Sequence, residues 1–284
     1  MTKLIAAARN PEEGERLLKA GADEIAYSLK GQSFTGLPEI SLEELSDCRS
    51  YALFLNRFYF EEDLPNLKAV LDQLDAMNPE HLYFSDPAVI QLASDHIRRK
   101  LIYRPEMLAV SSEDVSFWNE RGIAGVSISP LLTRKELLQI VSSCPHTEIT
   151  IHGNLLISAS RRPLLSHWQR FSGYPESLRN TEGLSIRESK RSEKMPIRET
   201  DAGTLIFSDF VQESFLHLKD FAQSGAERFF LNPVLSDPDS LAEAVAAYRQ
   251  ILSGGDPALI AGNYRKNHPE LSFSEGYYEQ PTIL

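Results

Sequence analysis

Thr147-Glu-Ile-Thr-Ile-His-Gly153 and the run behind it, Asn154-Leu-Leu-Ile-Ser-Ala-Ser-Arg161-Arg162-Pro163-Leu-Leu-Ser-His167-Trp168-Gln-Arg170, decide how the chain reads. Ile149 and Ile151 alternate with Glu148 and Thr150, the period of a strand. His152-Gly153 stops that strand at a sharp backbone turn, so the stretch delivers polar groups to a site. The basic run that follows shows no steady period. Irregular segments of such length inside a compact domain are functional or disordered.

Outward from this stretch, short apolar strands alternate with amphipathic helices. Leu4 to Ala8, Glu24 to Ser28, Tyr51 to Asn56, His81 to Asp86, Leu101 to Arg104 and Gly125 to Ser129 read as strands before it, and Arg228 to Asn232 as one after it. Between them, Asn10-Pro11 opens a helix that Gly21 ends, and Ser41-Leu-Glu-Glu44 is a capping box that starts a second. Leu64, Leu67, Leu71 and Leu74 mark a third at helical spacing. Pro87, Ser112 and Thr133 begin others, Phe215 to Gly225 is helical, and Asp237-Pro starts a long Ala-rich helix. Gly203 to Asp209 reads as a strand of an inserted hairpin. Eight strands alternating with helices in 284 residues point to a (β/α)8 barrel, a fold of roughly 250 residues. The expected organisation is a single barrel domain over residues 1–284, with 154–210 inserted at its mouth after the seventh strand. An open doubly wound sheet is the alternative, weakened by the lack of a Gly-x-Gly-x-x-Gly turn after the first strand.

With 42% hydrophobic and 24% charged residues, the composition is that of an ordinary globular protein. No apolar run nears the roughly 20 residues that span a bilayer, and the start lacks a secretory pattern. A cytoplasmic protein with no membrane partner is the expectation. The only cysteines, Cys48 and Cys144, are too few for a four-cysteine zinc or iron-sulfur site and read as small buried hydrophobes. Net charge is −11, yet residues 154–198 carry nine basic against four acidic side chains, net +5, which leaves −16 for the remainder. Such asymmetry directs the segment toward an anion: phosphate, carboxylate or RNA backbone. A solvated loop paired with acidic neighbours is the plainer use.

In a barrel, chemistry sits where strands end. Those ends carry Arg9 and Asn10, Ser28 and Lys30, Asn56 and Arg57, Ser85 and Asp86, Arg104 and Glu106, Ser127 and Ser129, His152 and Asn154, and Asn232. They suit a small anion held by Arg104 with Asn56, Asn154 and Asn232, or an RNA loop approached by Arg161 and Arg162. Asp86 or Glu106 with His152 would make an acid/base pair. Plainer roles compete: His152 could hydrogen-bond a backbone carbonyl, and Asp86-Pro87 could simply cap a helix. Ser158, Ser160 and Ser166 lack a Gly-x-Ser-x-Gly elbow, and no His-Glu-x-x-His or other metal-ligand spacing occurs. Trp168, beside His167 and Arg170, reads as an aromatic lid on the barrel rim, with base stacking as its other use.

Several stretches together resemble peptidase family U32, the collagenase-like peptidases. They are Ile25-Ala-Tyr-Ser, Gly31-Gln-Ser-Phe, Phe84-Ser-Asp-Pro-Ala-Val, Val115-Ser-Phe-Trp-Asn-Glu-Arg-Gly and Ile149-Thr-Ile-His-Gly, then Arg162-Pro-Leu-Leu-Ser, Asp201-Ala-Gly-Thr-Leu-Ile-Phe-Ser-Asp and Ser274-Glu-Gly-Tyr-Tyr. The resemblance implies proteolysis by name, and, by its better-understood relatives, oxygen-independent hydroxylation of tRNA uridine, ribosomal RNA cytidine or a quinone precursor. Those hydroxylating relatives are barrels holding an iron-sulfur cluster on four cysteines. Leu156 and Pro163 stand at two of the corresponding positions here, and Phe230-Leu-Asn-Pro233 stands where Ile-Glu-Gly-Arg is common. The resemblance therefore implies a cluster-less companion of a longer cluster-bearing paralogue in tRNA 5-hydroxyuridine formation, without a cofactor of its own. The alternatives are a collagenase-like peptidase, and a barrel that binds a small acid such as prephenate through Arg104, Asn56 and Asn232.

Overall fold

The computed structural model describes residues 2–45, 48, 50–189 and 193–280. In chain order the strands are β1 Lys3–Ala8, β2 Glu24–Leu29, β3 Glu39–Ile40, β4 Tyr51–Leu55, β5 His81–Phe84, β6 Leu101–Tyr103, β7 Gly125–Ile128, β8 Thr147–Ser160, β9 Ser185–Ile186, β10 Met195–Thr200, β11 Gly203–Glu213, β12 Arg228–Leu231 and β13 Phe273–Ser274. The helices are α1 Pro11–Ala20, α2 Leu64–Met77, α3 Pro87–Leu92, α4 Asp95–Arg98, α5 Ser112–Asn119, α6 Arg134–Ser143, α7 Leu164–Ser172, α8 Leu218–Gln223, α9 Pro238–Leu252 and α10 Pro257–Asn267.

β1, β2, β4, β5, β6, β7, β8 and β12 pair in parallel in that order, and β12 returns to β1, with Lys3 opposite Arg228, which closes a (β/α)8 barrel. Both faces of each strand are covered, so the strands read as near-continuous apolar runs. Along β1, Leu4, Ala6 and Ala8 pack outward against helices while Ile5 and Ala7 fill the barrel. The helices start where their caps dictate. Asn10 accepts from the Glu13 amide at 2.8 Å, Asp86 from Ala88 at 2.9 Å, and Asp237 from Asp239 and Ser240 at 2.9 and 3.0 Å. Thr133 and Glu136 form a reciprocal capping box. Gly21 ends α1 with φ 114°, its amide bonded to Leu18.

Three expectations change. The capping box at Ser41 exists, but among the described residues it opens only a 3-10 turn, Glu43–Leu45; residues 46, 47 and 49 of the expected helix lie outside them. The stretch after His152 does not turn away: β8 runs on to Ser160 and pairs antiparallel with β11, Leu156 opposite Phe207 and Ala159 opposite Leu205. The basic segment is largely ordered, into α7 and the β10–β11 hairpin, because β8 and β11 offer each other a ladder over the barrel mouth. Of its nine basic residues, Lys190 and Arg191 lie outside the described residues. Among the described residues no helix is long and apolar enough to cross a membrane.

Candidate functional site: a plugged barrel mouth and an exposed flap

β8 enters the barrel as a regular strand. Glu148 and Thr150 point inward, where both bond Arg104, while Ile149 and Ile151 point to the helices. At His152 the alternation breaks. Phe230 pairs with Thr150 but Leu231 pairs with His152, so one residue of β8 is skipped. This bulge turns the His152 ring outward, onto the residues that pack between barrel and helices. Gly153 follows with φ 114°, and a Cβ there would stand 2.2 Å from the Asn232 carbonyl oxygen; only glycine fits.

His152 is consequently 1% exposed and packed among Phe215, Tyr248 and Tyr264, with ring centroids 5.6–6.1 Å away. Its nitrogens lie 3.4 Å from the Tyr248 and Tyr264 hydroxyl oxygens. Burial, helped by the charge of His268, pulls its pKa down to about 3. Asp86 sits elsewhere, accepting from the Tyr59 and Ala88 amides at 3.0 and 2.9 Å. The geometry does not bring the two together as an acid/base pair: one is an interlayer ring, the other a cap.

Arg104 does reach inward. It lies over the Phe230 ring at 4.0 Å and donates to Glu106, Ser127 and Glu148 at 3.0 Å and to Thr150 at 3.2 Å. Glu148 also accepts from Tyr83 at 2.6 Å and from Arg228 at 3.2 Å, and Arg228 donates to both Glu24 oxygens at 3.1 Å. Burial opposes the charge on Glu24, yet the His81 hydrogen bond at 2.8 Å and the Arg228 guanidinium outweigh it and hold its pKa at about 2. A barrel usually fills this space with branched apolar layers; here a continuous ion network shares it with Ile5, Ala7, Ile102 and Phe230. Its arginines are matched by Glu24, Glu106 and Glu148, which leaves little unbalanced positive charge for an incoming anion.

The other strand-end residues are committed to the scaffold. The Asn56 side-chain Oδ1 accepts from the Phe34 amide at 2.8 Å, and Asn154 donates to the Ser208 and Phe210 carbonyls at 3.0 and 3.1 Å. Asn232 accepts from Val234 at 3.1 Å and donates to Asn154 at 3.4 Å. Above them Leu205 and Phe207 of β11 join Phe34, Leu37, Phe54, Tyr83 and Phe230 in one buried cluster. The hairpin thereby plugs the mouth. Between Arg104, Glu106, Asn232, Phe207 and Leu156 remains a cavity of about 20 Å³, space for one water molecule.

Outside the plug stands α7, with no buried residue. Its first amides are satisfied by buried Glu199, which accepts from Leu165 at 2.7 Å and Ser166 at 3.1 Å. Trp168 is 52% and Phe171 92% exposed, so Trp168 is not a lid on the rim. Arg161 lies over Phe60 at 3.8 Å, and Arg162 is exposed. Two further features have a signal in the sequence: Glu148 is a charged residue on the inward face of a strand, and Leu164, Trp168 and Phe171 form a helical stripe inside the basic segment.

Fold and site together define a (β/α)8 barrel closed by its own hairpin and carrying a basic, aromatic flap. The chain belongs to peptidase family U32, whose model matches residues 9–278. It is similar to tRNA hydroxylation protein P2 of Bacillus subtilis, 23% identical over 203 residues, covering 70% of this chain and 66% of that protein. It is also similar to tRNA hydroxylation protein P of Escherichia coli, 35% identical over 104 residues, 36% of this chain and 22% of that protein. The match thus spans just under two thirds of the first relative and under a quarter of the second. A solved structure described as the U32 peptidase Mk0906 superposes with a TM-score of 0.49 at 11% identity, over 82% of this chain and 92% of that one.

Among the described residues no group of three or more His, Cys, Asp or Glu side chains converges as metal ligands. Leu156 packs against the plug cluster and Pro163 precedes α7, and neither side chain carries a donor atom. These two positions do not fit a cysteine-held iron-sulfur cluster.

Proposed function

We propose that this chain is a non-redox subunit in oxygen-independent tRNA hydroxylation, holding tRNA for a longer, cluster-bearing U32 relative. The observation that carries the reading is the plugged mouth. Over the strand ends at Arg104 and Asn232, where a (β/α)8 barrel does chemistry, the cavity has room for one water, while the exposed cationic and aromatic side chains lie on the flap outside it. The likeness to two tRNA hydroxylation proteins supports the same direction. A peptidase role is less favoured: His152 is shut between barrel and helices, and the Ser166 hydroxyl donates to no histidine but to buried Glu199, whose carboxylate also holds the Leu165 and Ser166 amides.

The experiment is nucleoside analysis of tRNA from cells lacking this chain, complemented with wild type or with the Arg161→Ala/Arg162→Ala double variant. Loss of 5-hydroxyuridine without the chain, and weak restoration by the variant, is expected. Unchanged 5-hydroxyuridine, or a purified pair that neither associates nor binds tRNA, refutes it.

A further inference from the structure

Resting on that tRNA reading, and deepening it, a second set of observations concerns which part of an RNA the flap meets. α7 carries Leu164, Trp168 and Phe171 at positions i, i+4 and i+7, one stripe along the helix. Surface helices turn such a stripe to the core; here it faces outward, with Trp168 52% and Phe171 92% exposed. The inward side is held by other means, through Glu199 at the first amides and the Thr204 hydroxyl, which accepts from Leu164 at 3.0 Å.

The charge around the stripe points to one class of occupant. From Ile149 to Pro175 the chain has no Asp or Glu, although it has 40 of them overall, and the same run holds Arg161, Arg162 and Arg170. The Arg161 guanidinium sits over the Phe60 ring at 3.8 Å, and Phe60 is itself exposed. Apolar faces alone would suit a protein groove. Within the run from Ile149 to Pro175, aromatic faces interleaved with guanidinium groups, and no carboxylate among them, suit a polyanion that also presents π faces. A duplex hides its base faces, and a single-stranded loop exposes them. Because Glu199 already occupies the α7 N-terminus, phosphates there must be met by arginine side chains rather than by helix amides.

We propose that the outer face of α7 is a stacking platform for unpaired bases of an RNA loop, with Trp168 and Phe171 under the bases and Arg162 and Arg170 on the backbone.

The test is fluorescence anisotropy of the full chain with a labelled oligouridine strand, the same strand annealed to its complement, and an unmodified tRNA transcript. Trp168→Ala and Phe171→Ala are expected to weaken the single strand and the tRNA each by about tenfold while leaving the duplex unaffected. Arg162→Gln should lower the salt slope by about one. Thermal melting keeps folding apart from binding, since both aromatic side chains are exposed. In the Trp118→Phe variant, which keeps Trp168 as its one tryptophan, binding of the single strand should quench the emission. The inference is overturned if Trp168→Ala and Phe171→Ala bind the single strand like wild type, or if they spare RNA but abolish association with a protein partner. In either case, weakened tRNA binding by Arg162→Gln would leave the tRNA reading standing. If wild type binds neither oligouridine nor tRNA, the platform falls, and nucleoside analysis of cells lacking the chain still decides the tRNA reading.

Discussion

His152→Phe tests the most consequential placement in the structure. The imidazole lies among Phe215, Tyr248 and Tyr264, and its pKa is held at about 3 against 6.5 for a free histidine. The folded state therefore stays unprotonated there while the unfolded chain takes up a proton as pH falls below 6.5. Stability from this residue is complete above that value and drains away between 6.5 and about 3 as acid is added. One pKa unit corresponds to about 1.4 kcal/mol, so by about pH 5 the loss is about 2 kcal/mol. A phenylalanine keeps the aromatic packing, costs about 1–3 kcal/mol at any pH for its larger ring, and removes this proton linkage. Neither tyrosine is orphaned, since Tyr248 donates to the Ile151 carbonyl at 2.8 Å and Tyr264 to the Ser240 carbonyl at 3.1 Å. The assay is denaturant unfolding of both proteins at neutral and mildly acidic pH. The wild type should lose about 2 kcal/mol more than the variant on acidification. Parallel losses would show that the imidazole takes its proton within the fold, and the interlayer placement would be wrong.

Arg228→Met should cost about 3–5 kcal/mol, because it leaves Glu24 and Glu148 buried without their shared guanidinium; a smaller change in the unfolding midpoint would mean the network is solvated. Gly153→Ala forces a Cβ against the Asn232 carbonyl at a φ of 114°, and a loss on the order of 3 kcal/mol in thermal unfolding is expected; a neutral effect would disprove the bulge. Phe207→Ala should cost about 3–5 kcal/mol and open the mouth, measurable as new binding of small aromatic acids by calorimetry; unchanged stability would mean that Phe207 is not the plug.

Much of the barrel is written locally. Asn10-Pro11, Asp86-Pro87, Thr133 with Glu136, and Asp237-Pro each start a helix through bonds spanning two or three residues, which any reader of the sequence can see. Apolar strands between such helices specify a parallel sheet covered on both faces. Closure, as against an open sheet of the same element order, rests on β12 pairing with β1 across the chain. The helical spacing of Leu164, Trp168 and Phe171 was equally local, though its exposure was not. What tertiary structure alone decided is where polar groups point. The direction of His152 follows from one skipped residue in the pairing of β8 with β12, and a period-two reading assigns the opposite face after such a skip. Whether Arg104 meets a ligand or Glu148 depends on side chains 44 residues apart in sequence. The hairpin's descent into the mouth depends on Leu205 and Phe207 finding Phe34, Leu37 and Phe54, contacts that no local pattern encodes.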